Sequence, residues 1–211
     1  NGPGAKQTVQ IRKWFWATAV GSRYSGSSFT RSLKDDLKFI RKLAKNPNHR
    51  FSYKPEVERA EVRKSLYASH TGITTAFYCM LLRRGPVHLK VNGVSPILLE
   101  YFSSSTSKKD RHHIFPKGIL GPMGVLAKEY NSICNICLLM ADENQSIGKR
   151  RPKSYLKELS ETTTYFKAKM SRHLIPCGNS AAVWHGDLKN GFKQFLKDRC
   201  ALICNELESE A

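Results

Sequence analysis

Two adjacent histidines, His112 and His113, stand in the run DRHHIFPKG, preceded by Asp110 and followed by Pro116 and Lys117. Twenty-two residues past His113 comes Asn135, at the head of the apolar run Asn135-Ile-Cys-Leu-Leu139; nine residues further comes Asn144, and then the cations Lys149, Arg150, Arg151 and Lys153. Hydrolysis of a phosphodiester needs a base to deprotonate water, a hard divalent cation to neutralise the departing oxygen, and positive charge around the phosphorus. This stretch holds candidates for all three. A neutral imidazole is a competent base near pH 7, and a second imidazole with an amide oxygen can hold one metal ion while leaving positions for water and phosphate. Lys149 and Arg150 are placed to contact the scissile or flanking phosphates. Taken one at a time, the same residues read as surface histidines, a turn asparagine at 135 and a helix cap at 144. Their order and spacing favour the chemistry.

The surrounding sequence reads as mainly helical α+β, with a small β insertion. A helix is predicted over Gln7–Ala19, then a turn-rich loop over Gly21–Ser28. Ser32–Ala44 reads as an amphipathic helix whose core face is Leu33, Leu37, Ile40 and Ala44. Further helices are expected over about 56–66 and 73–84, the latter ended by Gly85-Pro86. Val87, Leu89 and Val91 then alternate with polar residues before Asn92-Gly93, a strand and turn signal, and Pro96–Phe102 is largely apolar. The histidines fall at the end of one expected strand, and Asn135–Leu139 forms a second. Helices are expected again over Lys153–Leu159, Thr162–Met170 and Ala181–Glu208, the last with Leu188, Phe192, Phe195, Leu202 and Ile203 as its core stripe.

Lys and Arg number 35 against 17 Asp and Glu, a formal charge of +18, and the cations divide evenly, 18 before residue 100 and 17 after it. A folded, broadly basic surface attracts polyanions, of which nucleic acid is the commonest. No run approaches the ~20 apolar residues of a membrane span, which argues against a membrane partner. The six cysteines have mostly apolar neighbours and suit reduced core thiols of a cytoplasmic protein. Cys134 and Cys137 form a CxxC without a second pair, so a structural zinc lacks ligands at workable spacing. No GxxxxGK[ST] loop occurs. Trp14, Phe15 and Trp16 could stack bases, but three aromatics on one helix more often pin it to a core. The opening NGPGA reads as a cleaved tag or an internal excision point rather than a signal peptide, which suggests a piece of something longer.

HHIFP, NICLL and ADENQSIGK together resemble the HNH, or ββα-metal, nuclease motif. With GKRRPKSYL, Trp14-Phe15-Trp16 and Arg23-Tyr24-Ser25, the likeness extends over most of the chain. It is then to the C-terminal nuclease domain of GmrSD-type modification-dependent restriction enzymes and SspE-type phosphorothioation-sensing anti-phage proteins. That resemblance implies a ββα-metal core at about 100–160, flanked by a helical part at 1–99 and C-terminal helices at 161–211. It implies His113 as general base, His112 as first metal ligand, Asn135 as the residue ordering the loop, and Asn144 as second metal ligand. Many such motifs carry Asp where His112 stands. Asp110 would share a strand face with His112, so Asp110 in the metal shell is the alternative.

The expectation is therefore a bacterial, cytoplasmic DNA endonuclease using one Mg²⁺ or Mn²⁺ per site, an effector of restriction or anti-phage defence. Lys117, Lys149, Arg150 and Arg151 would lie on the DNA, which could be modified. The resemblance also implies an N-terminal sensor domain outside this stretch, and a double-strand break would need a homo-oligomer or two nicks. The rival reading is a non-catalytic nucleic-acid-binding module built on a structural zinc site.

Overall fold

Close approach of two helices organises the N-terminal half. α1 (Ala5–Val20) buries Trp16, Ala17, Thr18 and Val20 and packs against α4 (Gly72–Arg83). A Cβ on Gly72 would lie 2.3 Å from the carbonyl oxygen of Ala19, so only glycine lets the start of α4 sit this near α1. Thr71 caps α4 by accepting from the Thr74 amide through its side chain. In the computed structural model the described residues are 2–93, 95–97 and 109–211, without the side chains of Lys109 and Asp110. The apolar stretch expected over Pro96–Phe102 lies outside them from residue 98 onward.

α2 (Phe29–Lys45) is a helix as expected but turns a different face inward. Its buried residues are Ser32, Asp36, Phe39 and Leu43, whereas Leu33 and Leu37 are exposed. The reason is Asp36, whose carboxylate accepts hydrogen bonds from Trp14 Nε1 at 3.0 Å, Tyr24 Oη at 2.6 Å and the Arg23 guanidinium at 2.9 Å. A buried carboxylate with this many donors holds its own face inward, and the apolar stripe rotates toward solvent.

The helix expected over 56–66 is shorter, α3 (Arg59–Lys64). The alternation at 87–92 makes no strand; Val87 forms one isolated bridge to Pro96. β1 (Lys109–His113) pairs antiparallel with β2 (Ile136–Met140), in a register that sets His112 opposite Cys137 and His113 opposite Ile136. Between them lie the short helices α5 (Lys117–Leu120) and α6 (Ala127–Tyr130). Asn135 is not on β2, because it closes the 3₁₀ turn Ile133–Asn135 just before it.

β2 runs straight into α7 (Ala141–Ile147), followed by α8 (Pro152–Thr162) and α9 (Phe166–Arg172). The last element, α10 (Leu188–Glu210), starts later than expected, after a separate 3₁₀ turn at Ala182–Trp184. Asp187 caps it by accepting from the Asn190 amide at 2.8 Å. Its inward face carries Leu188, Phe192, Phe195 and Ile203, but also Arg199 and Cys200, while Leu202 is exposed. The buried Arg199 guanidinium donates to the carbonyls of Leu174, Cys134 and His173, each at 3.0 Å, so it ties α10 to the turn before β2. One apolar cluster runs from Trp16 to Leu207 and includes β2 together with Ile114 and Phe115, the two residues that follow β1. No described helix is long and apolar enough to cross a membrane.

Candidate active site

The end of β1 and the middle and far end of α7 meet at a cleft of about 330 Å³, lined among others by Tyr67, Arg111, His112, His113, Lys117 and Lys149. Asn144 lines it as well. Antiparallel pairing of β1 with β2 fixes the adjacent histidines, and because successive strand residues point to opposite faces their environments differ. His112 is 3% exposed, contrary to a surface position, and packs edge-on against Tyr155. Its Nδ1 lies 2.5 Å from Asn144 Oδ1.

His113 is half-buried and held on three sides. Its ring meets Tyr67 edge-on at 5.3 Å and Tyr130 at 6.4 Å, and its Nε2 lies 2.9 Å from Asn131 Oδ1. With Asn131 Oδ1 assigned as the acceptor, His113 carries its proton on Nε2 and presents the lone pair of Nδ1. Burial lowers the His113 pKa below the ordinary imidazole value, and the Lys117 charge adds to that, against the opposing effect of the hydrogen bond that His113 donates to Asn131. The ring is therefore neutral at pH 7.

Asn135 works through the backbone. Fully buried, it accepts the Phe115 amide hydrogen at 2.9 Å and donates to the carbonyls of Phe115 at 3.0 Å and Tyr130 at 2.9 Å. This clamps the chain two residues past His113 to the end of α6. Tyr155 Oη adds a bond to the Ile114 carbonyl at 2.9 Å.

α7 is fastened from its other side. Buried Glu143 accepts the Lys90 amide at 2.9 Å and faces His88 Nδ1 at 3.4 Å. Lys169 Nζ donates to the carbonyls of His88 at 3.1 Å and Leu89 at 3.3 Å, and also to Val91. The loop at 88–91 thus braces the helix that bears Asn144.

The expected DNA-contacting cations separate. Lys117 and Lys149 line the cleft, the Lys149 stem passing so near Gly118 that a Cβ there would meet it at 3.1 Å. Arg150 does not line it; its guanidinium pairs with Glu158 and its Nε caps the Ile147 carbonyl at 3.3 Å, because the chain turns at Gly148. Arg151 is exposed and precedes α8 as its N-cap residue. Asp110 lies in β1, but its side chain is outside the described residues.

Three residues in or beside the cleft escape the sequence reading. Asn131 and Tyr67 reach His113 from other elements, and Arg111, whose guanidinium stacks over the Tyr78 ring at 4.9 Å, donates to the Tyr67 carbonyl at 3.3 Å. Only Arg111 had a signal, since it alternates with Asp110 and His112 along a strand.

His112 Nδ1 and Asn144 Oδ1 are one nitrogen and one oxygen donor side by side. Two adjacent ligands of an octahedral cation with bonds of ~2.1 Å stand roughly 3 Å apart, so an opening of about 0.5 Å would seat such an ion here, with water and phosphate completing the shell. A hard, water-rich divalent cation therefore fits. Among the described residues no group of three or more His, Cys, Asp or Glu side chains is arranged to hold a metal. The Cys137 thiol is pushed up to about 12 by burial, far from the thiolate that zinc requires.

No protein-family model matches the chain. It is similar to an uncharacterized protein of Methanocaldococcus jannaschii, 25% identical over 158 residues. The match covers 72% of this chain and 25% of that relative, so the chain spans about a quarter of its length.

Proposed function

We propose that this protein is a metal-dependent endonuclease of the HNH, ββα-metal type that hydrolyses DNA phosphodiester bonds. The observation that carries this reading is the neutral, oriented imidazole of His113 in the same cleft as the His112 and Asn144 donor pair. His113 Nδ1 accepts a proton from water, which attacks phosphorus; Asn131 holds the ring in the tautomer that makes this possible. A divalent cation, Mg²⁺ or Mn²⁺, when bound supplies positive charge at the departing 3′ oxygen, and His112 and Asn144 are the residues that would hold it. Lys117, Lys149 and Arg111 neutralise the phosphates along the cleft. Asn135 keeps the chain after His113 in place without touching the reaction.

A motif of this kind makes one cut per visit, so a break in both strands takes two copies or two nicks. The resemblance of HHIFP, NICLL and GKRRPKSYL to restriction and anti-phage nucleases supports a defence role, with recognition of the DNA, modified or not, residing in another part of a longer protein. The decisive experiment incubates the chain with supercoiled plasmid in Mg²⁺ or Mn²⁺, with and without EDTA, beside His113→Ala. Nicked or linear product that needs the cation and His113 is the expected result. Cleavage indifferent to EDTA, or no cleavage together with tightly held stoichiometric zinc, overturns it.

A further inference from the structure

A second cavity, of about 520 Å³, opens between α1, the loop after it and the start of α4. Its walls include Trp14, Phe15 and Tyr24, with hydroxyls from Ser22 and Thr75 and the exposed imidazole of His70. Among the described residues no Asp or Glu lines it. The polar edges of both hydrogen-bonding aromatics are already committed. Trp14 Nε1 and Tyr24 Oη both donate to buried Asp36, and burial together with that carboxylate pushes Tyr24 up to about 12, so its hydroxyl stays a donor. What these two rings offer the cavity is carbon, and Asp36, itself gripped by Arg23, prevents them from folding away. The loop contributes Ser22 to the wall at φ of 46°, a left-handed conformation that is costly outside glycine.

The cavity and the cleft share one segment of chain. Tyr67 lines the cleft and His70 and Thr71 line the cavity, three and four residues later. That segment is tied to the site by the Tyr67 amide, which donates to the Asn131 carbonyl at 3.0 Å, one residue position carrying both this bond and the contact to His113. Three residues span at most about 10 Å, and stacked nucleotides rise about 3.4 Å each along a strand. His70, on the cavity, therefore stands within about three nucleotides' rise of Tyr67, on the cleft.

On the nuclease reading above, we infer that this cavity takes a nucleobase of the cleaved strand, flipped out or unpaired, which stacks on the Trp14, Phe15 and Tyr24 wall. Flat aromatic rings recognise any base by its face. The absence of carboxylates along the wall suits a ligand that arrives attached to a phosphate backbone. An enzyme that withdraws a base offsets the unstacking with such a pocket, and the cost is least where the base is damaged, modified or already unpaired.

The test keeps cleavage out by working in EDTA. Two single-stranded probes of eight nucleotides are compared by fluorescence anisotropy, one of thymidines and one abasic throughout. The thymidine probe is expected to bind about 5-fold to 150-fold more tightly, the range for stacking one base on an aromatic platform. Tyr67 could stack a base in the cleft itself, so Thr75→Trp, an exposed substitution on α4 that fills the cavity from its rim, provides the assignment. It should bring the thymidine probe down to the abasic level, while Lys149→Ala weakens both probes by the same factor. Wild-type affinities within twofold of each other, as expected if the cavity serves a peptide or a small metabolite, overturn the inference, as does undiminished selectivity in Thr75→Trp. A protein that discriminates the probes but cuts no plasmid in any cation would sink the nuclease reading and leave the pocket standing.

Discussion

Replacing Asn135 by Ala removes three buried hydrogen bonds in one step: one accepted from the Phe115 amide and two donated to the Phe115 and Tyr130 carbonyls. At about 1 kcal/mol net for each bond, the loss of stability is roughly 3 kcal/mol, a large part of what a domain of this size possesses. Asn135→Asp is the sharper probe because it keeps the shape. The oxygen that accepts from Phe115 remains, but the amide nitrogen becomes an oxygen facing two carbonyl oxygens. The new carboxyl must stay protonated in the fold, so its folded pKa is raised above the unfolded value of ~3.9. Its penalty is then fully present at neutral pH and recedes as pH falls toward about 4. Urea unfolding followed by circular dichroism, each variant against wild type at pH 7 and pH 5, reads both effects. Variants within about 0.5 kcal/mol of wild type at pH 7, or a deficit in Asn135→Asp that does not shrink at pH 5, would refute the claim that this side chain clamps the loop behind His113.

His113→Ala should slow cleavage by ~10²–10⁴-fold with the fold intact, and the wild-type rate should fall with acid only below the ordinary imidazole range of about 6.5, measured as a pH–rate profile on plasmid. Asn144→Ala should raise the Mg²⁺ or Mn²⁺ concentration needed for half-maximal cleavage, read by metal titration. The double variant Lys117→Ala, Lys149→Ala should flatten the slope of log affinity against log salt by up to about 2 units, whereas Arg150→Ala should leave the slope alone, since its guanidinium is engaged by Glu158. His173 is buried, and burial holds its pKa down to about 4, with Nε2 bonded to the Val87 carbonyl and Nδ1 without a hydrogen-bond partner among the described residues. A folded value below the unfolded ~6.5 means that stability is complete above about pH 6.5 and is lost as pH falls toward 4, by about 2 kcal/mol at pH 5. His173→Gln should reduce that acid sensitivity in the same urea titration.

The helical periods of the chain and the spacing of its chemistry are legible in the sequence. Phe192, Phe195 and Ile203 recur at helical spacing and are buried on α10, and the intervals linking His113, Asn135 and Asn144 mark two strands and a helix that the structure places together. Local pattern suffices there, because a strand ending in polar residues and a helix starting just after an apolar run are decided by neighbours in the chain. The inward face of α2 was not legible. Its apolar stripe is genuine, yet Leu33 and Leu37 face solvent because Trp14, Arg23 and Tyr24, 12 to 22 residues away, converge on Asp36. Nor could spacing separate Lys149 from Arg150, whose directions are set by Gly118 and Glu158.

The set of chemical groups, their order and the elements that carry them follow from residue type and short-range period, which act through the backbone within a few residues. Which groups meet depends on how those elements pack. Asn131 against His113, Tyr67 beside both, and Asp36 behind the Trp14 wall are contacts across 12 to 64 residues, made when burial forces polar atoms to find partners wherever the packed chain presents them.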